Sequence, residues 1–124
     1  MEETVKVAIV GLGRVGSKFI QKISEFEGKG VTIVAAAEKN ATSPGIAIAE
    51  GKGIKVYEDE KYITSMGDKV DVVFDLSGDK TVGRDMRLAY GRALNTHTVI
   101  VPRIMAVMIW NMFSDGEALP EHTN

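Results

Sequence analysis

The sequence has no cysteine and only 2 histidines. This excludes disulfides, thiolate metal sites and cysteine nucleophiles, and it leaves too little imidazole for a His-rich metal site. A cysteine-free chain fits a reducing, cytoplasmic setting. Long apolar runs are also missing. The most apolar late stretch, residues 104–113, falls well short of the roughly twenty residues that span a bilayer. The opening Met1-Glu2-Glu3-Thr4 is acidic and runs straight into a strand-like segment, unlike a signal peptide. Neither sign of charge dominates: 15 Lys and Arg against 17 Asp and Glu give a net charge of −2. No nucleic-acid or acidic-membrane partner follows from such a balance. Glycine, in contrast, is plentiful, with 13 among 124 residues. It serves where a backbone needs positive φ or close approach. A chain of this length can bury one core without covalent staples.

Two periodicities alternate along the chain. Residues 5–10 (V-K-V-A-I-V) are β-branched and nearly continuously apolar, as in a strand buried on both faces. Beyond the glycines that follow, Val15, Phe19, Ile20, Ile23 and Phe26 recur at helical spacing. Residues 31–37 are a second buried strand. Ser43-Pro44 reads as an N-cap with proline opening a short helix over 45–50. Residues 54–57 form a third strand and 59–66 a short helix. Residues 70–76 form a fourth strand, and 81–94 a helix with Val82, Met86, Ala89, Tyr90 and Ala93 on one stripe. A fifth strand covers 96–101, and Pro102 starts a last helix through Phe113. The order predicts an α/β fold: a doubly wound, five-stranded parallel sheet in three α/β/α layers, because parallel neighbours need helical crossovers. The remainder, 114–124, reads as a polar, frayed tail.

The sharpest motif is Gly11-x-Gly13-x-x-Gly16, with a strand before it and a helix after it. In that context Gly11 permits the tight turn. Gly13 lets the backbone approach a pyrophosphate, and Gly16 lets helix and strand pack closely. The helix then aims its unpaired N–H groups and positive dipole end at phosphate oxygens, with Leu12, Arg14 and Val15 completing the loop. Glu38, about twenty residues on at the end of the second strand, stands where a carboxylate takes both hydroxyls of an adenosine ribose. The bland alternative is a solvated charge. Glu38 favours NAD; the adjacent Lys39 leaves NADP open through a 2′-phosphate. Ser77-Gly78 ends the fourth strand, beside the first strand across the switch point. Small residues there either admit ribose or nicotinamide or simply turn the chain. Asp75 is either a polar group near that site or a satisfied structural carboxylate, and Asp79 helps start the next helix.

G-L-G-R-V-G, V-A-A-A-E-K-N, S-P-G-I-A-I-A-E-G-K-G-I-K-V-Y and V-D-V-V-F-D-L-S-G together resemble the N-terminal Rossmann domain of dihydrodipicolinate reductase, homoserine dehydrogenase and related oxidoreductases. The resemblance covers about residues 5–101. It implies an NAD(P)-binding domain over 4–113, with the dinucleotide at Gly11, Gly13, Gly16 and Glu38 and the nicotinamide side near Ser77-Gly78. Those enzymes continue into a catalytic and oligomerising domain, whereas this chain stops. No catalytic residue is therefore carried over.

Other residues attract attention with less return. His97 opens the fifth strand, where a lone histidine is usually structural, and His122 lies in the tail. Arg84, Arg87 and Arg92 spread over one helix as a solvated face. Arg103 follows Pro102 at a strand's C-terminal side, and Glu58, Asp59 and Glu60 read as a charged loop. The last helix is apolar nearly all round, from Ile104 through Trp110 to Phe113. That pattern suits either deep burial or a homo-oligomer interface. Three functions fit: an NAD(H)-binding, sensor or subunit module; an oxidoreductase whose site is completed between subunits; and a regulatory nucleotide-binding domain of the potassium-transport type, which shares the G-L-G-R-V-G loop.

Overall fold

The computed structural model describes residues 3–114 and 116–120. Five strands, β1 (Val5–Val10), β2 (Val31–Ala37), β3 (Val56–Tyr57), β4 (Val72–Asp75) and β5 (Val99–Val101), form one parallel sheet in the order β3-β2-β1-β4-β5. Helices α1 (Arg14–Ser24), α2 (Gly45–Gly51), α3 (Lys61–Thr64), α4 (Lys80–Arg92) and α5 (Arg103–Phe113) alternate with them. The fold is thus the expected doubly wound, Rossmann-like α/β sandwich. Strand order reverses between β1 and β4, which run in register from Val7 opposite Val72 to Val10 opposite Asp75. All strands end at the same edge of the sheet, and a crevice opens there at the reversal.

Each sheet face carries its own core. On one side Phe19 and Ile20 of α1, Ala49 of α2, and Ala106 and Trp110 of α5 cover Val7, Ile9, Ile33 and Phe74. Phe19 lies at its centre, with ring centroids 5.5 Å from Phe74 and 5.3 Å from Trp110. On the other side Ile63 of α3 and Val82, Met86 and Tyr90 of α4 cover Ala8, Val10, Ala35 and Val73. The alternation along β1 explains the split: Val7 and Ile9 face one way, Ala8 and Val10 the other.

Several element ends differ from expectation. β3, β4 and β5 are shorter, because residues beyond the ladder are drawn into turns. A single 3-10 turn, Gly67–Lys69, follows α3. Ser43 does not cap α2 with its side chain. The first N–H of that helix, on Gly45, instead donates to the Leu12 carbonyl at 2.8 Å. Asp79 does cap α4, accepting from the Thr81 N–H at 2.9 Å. The tail is not frayed where it is described: Trp110 Nε1–H donates to the Glu117 carbonyl at 2.6 Å, and the Glu117 carboxylate pairs with Lys18 at 2.8 Å. His122 lies outside the described residues, as do residues 115, 121, 123 and 124.

Two glycines separate tight packing from open space. A Cβ on Gly16 would stand 1.9 Å from the Gly11 carbonyl oxygen, whereas one on Gly91, exposed in the last turn of α4, meets nothing within 4 Å. Gly16→Ala must push α1 off β1 and should cost about 3 kcal/mol, the upper end for overpacking. Gly91→Ala should stabilise by about 0.5–1 kcal/mol through helix propensity alone. Urea unfolding midpoints check both signs.

Candidate functional site

The glycine loop lies at the C-terminal edge of β1. Gly11 adopts φ +97°, and a Cβ there would strike the Leu76 and Ser77 backbone at 2.6 Å. The turn between β1 and α1 therefore presses against the end of β4. Leu12 is fully buried. Its N–H donates to Glu38 Oε1 at 2.5 Å, and its carbonyl receives the Gly45 N–H. Glu38 Oε2 also accepts the Asn40 N–H at 3.0 Å. The half-buried Glu38 carboxylate thus ties the glycine loop to the end of β2. Each carboxylate oxygen has a second lone-pair direction with which to accept another donor.

Gly13 is the N-cap residue of α1. No side chain caps it, and no acidic residue occupies the first turn. A Cβ on Gly13 would meet nothing within 4 Å. The backbone is therefore open on its outer side, while Ser17 steadies it from within by donating Oγ–H to the Gly13 carbonyl at 2.7 Å. Arg14 is exposed and Val15 buried.

Across the crevice, Ser77 donates its hydroxyl to Asp75 Oδ1 at 2.8 Å, and Gly78 turns the chain at φ +71°. Asp75 is accordingly a satisfied carboxylate that shapes the turn. Its other oxygen packs against Gly83, where a Cβ would stand only 2.7 Å away. A cleft of about 150 Å³ joins these elements, lined by Gly11, Glu38, Lys39, Glu60, Ser77 and Asp79 over an apolar wall that includes Val82.

Glu60 was not foreseen as a site residue. It belongs to an acidic triplet that reads as a charged loop, yet it is only 3% exposed. Its neighbours behave differently. Asp59 Oδ1 accepts the Lys61 N–H at 2.8 Å, and this bond holds the carboxyl below the usual range. Burial pushes Glu60 above it, and Asp59 adds to the shift. Lys39, more than half exposed, reaches over to Glu60 Oε2 at 3.3 Å. Nothing in the sequence signals this burial except the apolar Ile63 that follows, which draws the start of α3 onto the sheet.

The remaining candidates lie elsewhere. His97 precedes β5, at the sheet edge opposite the cleft. Its Nε2 contacts Asp71 Oδ1 at 2.6 Å, and Asp71 Oδ2 accepts the Lys6 N–H at 2.8 Å. The pair pins the starts of β1, β4 and β5. Arg84 and Asp85 are exposed partners on α4, and Arg103 is exposed at the start of α5. Among the described residues, no helix is long and apolar enough to cross a membrane.

No protein-family model and no curated protein sequence matches the chain. Solved structures do. The homoserine dehydrogenase of S. aureus at pH 7.0 superposes with a TM-score of 0.64 at 16% identity, over 93% of this chain and 31% of that one. The same enzyme at pH 8.5 gives 0.59 at 15% identity. At such identity the likeness establishes the fold, and the chain spans about a third of the length of the enzyme it resembles.

The Asp71 contacts have a pH signature. The His97 bond and the Lys6 N–H hold its carboxyl below the ordinary value. The stabilisation is therefore complete above the unfolded pKa of about 3.9, and it is lost as pH falls through the lower folded value. Asp71→Asn should flatten the loss of stability below about pH 4. Urea midpoints at pH 3 and pH 7 that fall equally in both proteins would contradict this.

Proposed function

We propose that this chain binds a nicotinamide adenine dinucleotide across the glycine loop, NAD(H) in preference to NADP(H), as the cofactor-holding module of an oxidoreductase-like protein. The observation that carries the reading is the bond from the Leu12 N–H to Glu38. It makes a pyrophosphate cradle and a ribose acceptor one rigid unit. The uncapped start of α1 and the open face of Gly13 suit pyrophosphate oxygens. Glu38 takes the ribose hydroxyls, and its charge opposes a 2′-phosphate. Lys39, turned toward Glu60, is drawn away from that phosphate position. Ser77 and Gly78 flank the nicotinamide half. The bound dinucleotide would supply hydride chemistry, while the residues named here bind and orient it.

Calorimetric titration with NADH, NADPH, ATP and ADP tests the reading. NADH should bind most tightly, and Gly13→Val should weaken it at least about tenfold, or about 1.4 kcal/mol, while the variant stays folded. Unchanged NADH affinity in folded Gly13→Val would refute the site. Tighter binding of NADPH by the wild type would give the ribose to Lys39. Tighter binding of ATP or ADP than of NADH would favour a regulatory nucleotide-binding domain.

The same chain pairs with a second copy through α5. Buried Ala106 and Trp110 face the sheet, but Ile104, Met105, Met108 and Met112 are 43–72% exposed on the outer side. Together these four present apolar surface on the order of 500 Å², near the upper range for one patch on a monomer and more than half of the ~800 Å² that each partner of a stable pair buries. A separate apolar groove of about 320 Å³ lies between α1 and α5, with Phe26 and Phe113 among its lining residues. A two-fold pair is the simplest closed arrangement, and it leaves room for a site completed between subunits. Sedimentation at tens of micromolar should give a dimer that Met108→Glu with Met112→Glu dissociates; a wild-type monomer overturns the pairing.

A further inference from the structure

Glu60 stands out within the cleft. It is a carboxylate buried to 3% exposure, at the turn into α3, and its Oε2 accepts no hydrogen bond within the chain. Its partner is the Lys39 ammonium, ion-paired to this oxygen at 3.3 Å from a side chain that is itself 55% exposed. A buried carboxylate oxygen whose ion-pair partner is a largely exposed ammonium keeps acceptor capacity for a further donor from the cleft. Glu60 shares the cleft with Glu38 and with Val10, Ala37 and Val82. Lys39, Ser77 and Asp79 line the same cleft, so Glu60 stands among polar groups beside the apolar Val10, Ala37 and Val82.

Resting on the dinucleotide reading, we infer that Glu60 recognises the base, accepting a hydrogen bond at Oε2 from the exocyclic 6-amino group of adenine while the ring lies against Val82. The chemistry is selective. Adenine presents a donor at that position, whereas hypoxanthine and guanine present a carbonyl oxygen. Two acceptors would then face each other, with no proton between them. A site built to bond one polar group rejects an analogue that lacks it far more strongly than an apolar pocket rejects a missing methylene. Lys39, which also lines the cleft, balances the charge of the carboxylate, and the second lone-pair direction of Oε2 is left for the base.

Nicotinamide hypoxanthine dinucleotide differs from NAD only in replacing the 6-amino group by a carbonyl oxygen. Calorimetric titration of the full chain with both compounds tests the inference without any substitution. Wild type should bind NAD at least tenfold more tightly. Glu60→Gln, whose side-chain amide offers a donor as well as an acceptor, should narrow or reverse that ratio, with circular dichroism confirming its fold. Equal affinity of the wild type for the two compounds overturns the role of Glu60 and leaves the dinucleotide site standing. Binding of neither overturns both. An unchanged ratio in folded Glu60→Gln assigns discrimination to another group and overturns the inference.

Discussion

Where α1 leaves β1, the Gly16 backbone lies against the Gly11 carbonyl so closely that no side chain fits between them. Everything at the C-terminal edge of the sheet depends on that approach. It seats the start of α1 directly over the end of β1 and leaves the intervening turn short. The short turn keeps Leu12 buried, which presents its N–H to Glu38 and its carbonyl to Gly45. α1, β2 and α2 are thereby held together through the backbone groups of one loop residue. A larger residue at position 16 would strain more than one contact. It would separate the helix dipole from the carboxylate that shares the site with it.

The alternation of β-branched runs with helical stripes made the fold legible, and the offsets of three glycines made the loop legible. Both signals are local: a strand buried on two faces and a tight strand-to-helix turn each restrict which residues can stand there. Glu38 was legible for the same reason, because its distance from the loop is set by one helix and one crossover. What stayed hidden depends on contacts between distant segments. The replacement of a Ser43 cap by the Leu12 carbonyl requires α2 to pack against the loop, and no local pattern announces that. The anchoring of residues 116–120 through Trp110 and Lys18 was likewise invisible. A polar composition does not reveal a backbone carbonyl placed under an indole.

Glu60 and α5 both show the limits of composition as a guide. Three consecutive acidic residues look solvated, yet the helical turn that follows carries Ile63 into the core and takes Glu60 with it. A helix apolar on every side suits deep burial or an interface alike, and composition does not say which; one sheet face covers only the side bearing Ala106 and Trp110. In both cases the outcome is decided by which side of a short element meets the sheet, a choice governed by the connecting turns. The consequences differ in kind. A carboxylate drawn inward acquires an acceptor aimed at a cleft, whereas methionines left outside form a surface that adapts to an apolar partner.

The two edges of the parallel sheet divide stability from binding. At the edge where strands begin, polar groups satisfy one another: His97 with Asp71, Asp71 with the Lys6 N–H, and Asn95 with Thr98. At the edge where strands end, the carbonyl of Leu12 and the carboxylate of Asp75 are also satisfied internally. The first turn of α1, however, has no side-chain cap, Gly13 is open on its outer side, and the buried Glu60 Oε2 is met by the ammonium of a largely exposed Lys39. Buried polar groups are ordinarily paired because leaving them unpaired costs about 1–3 kcal/mol each. The Tyr90 hydroxyl, buried late in α4, makes no hydrogen bond among the described residues. Of the groups at the edge where strands end, Glu60 shares its cleft with Gly11 of the loop and with Glu38. The backbone donors at the start of α1 and the carboxylates of Glu38 and Glu60 thus stand at the same edge of the sheet, and the proposed dinucleotide site rests on that pairing of donors with acceptors.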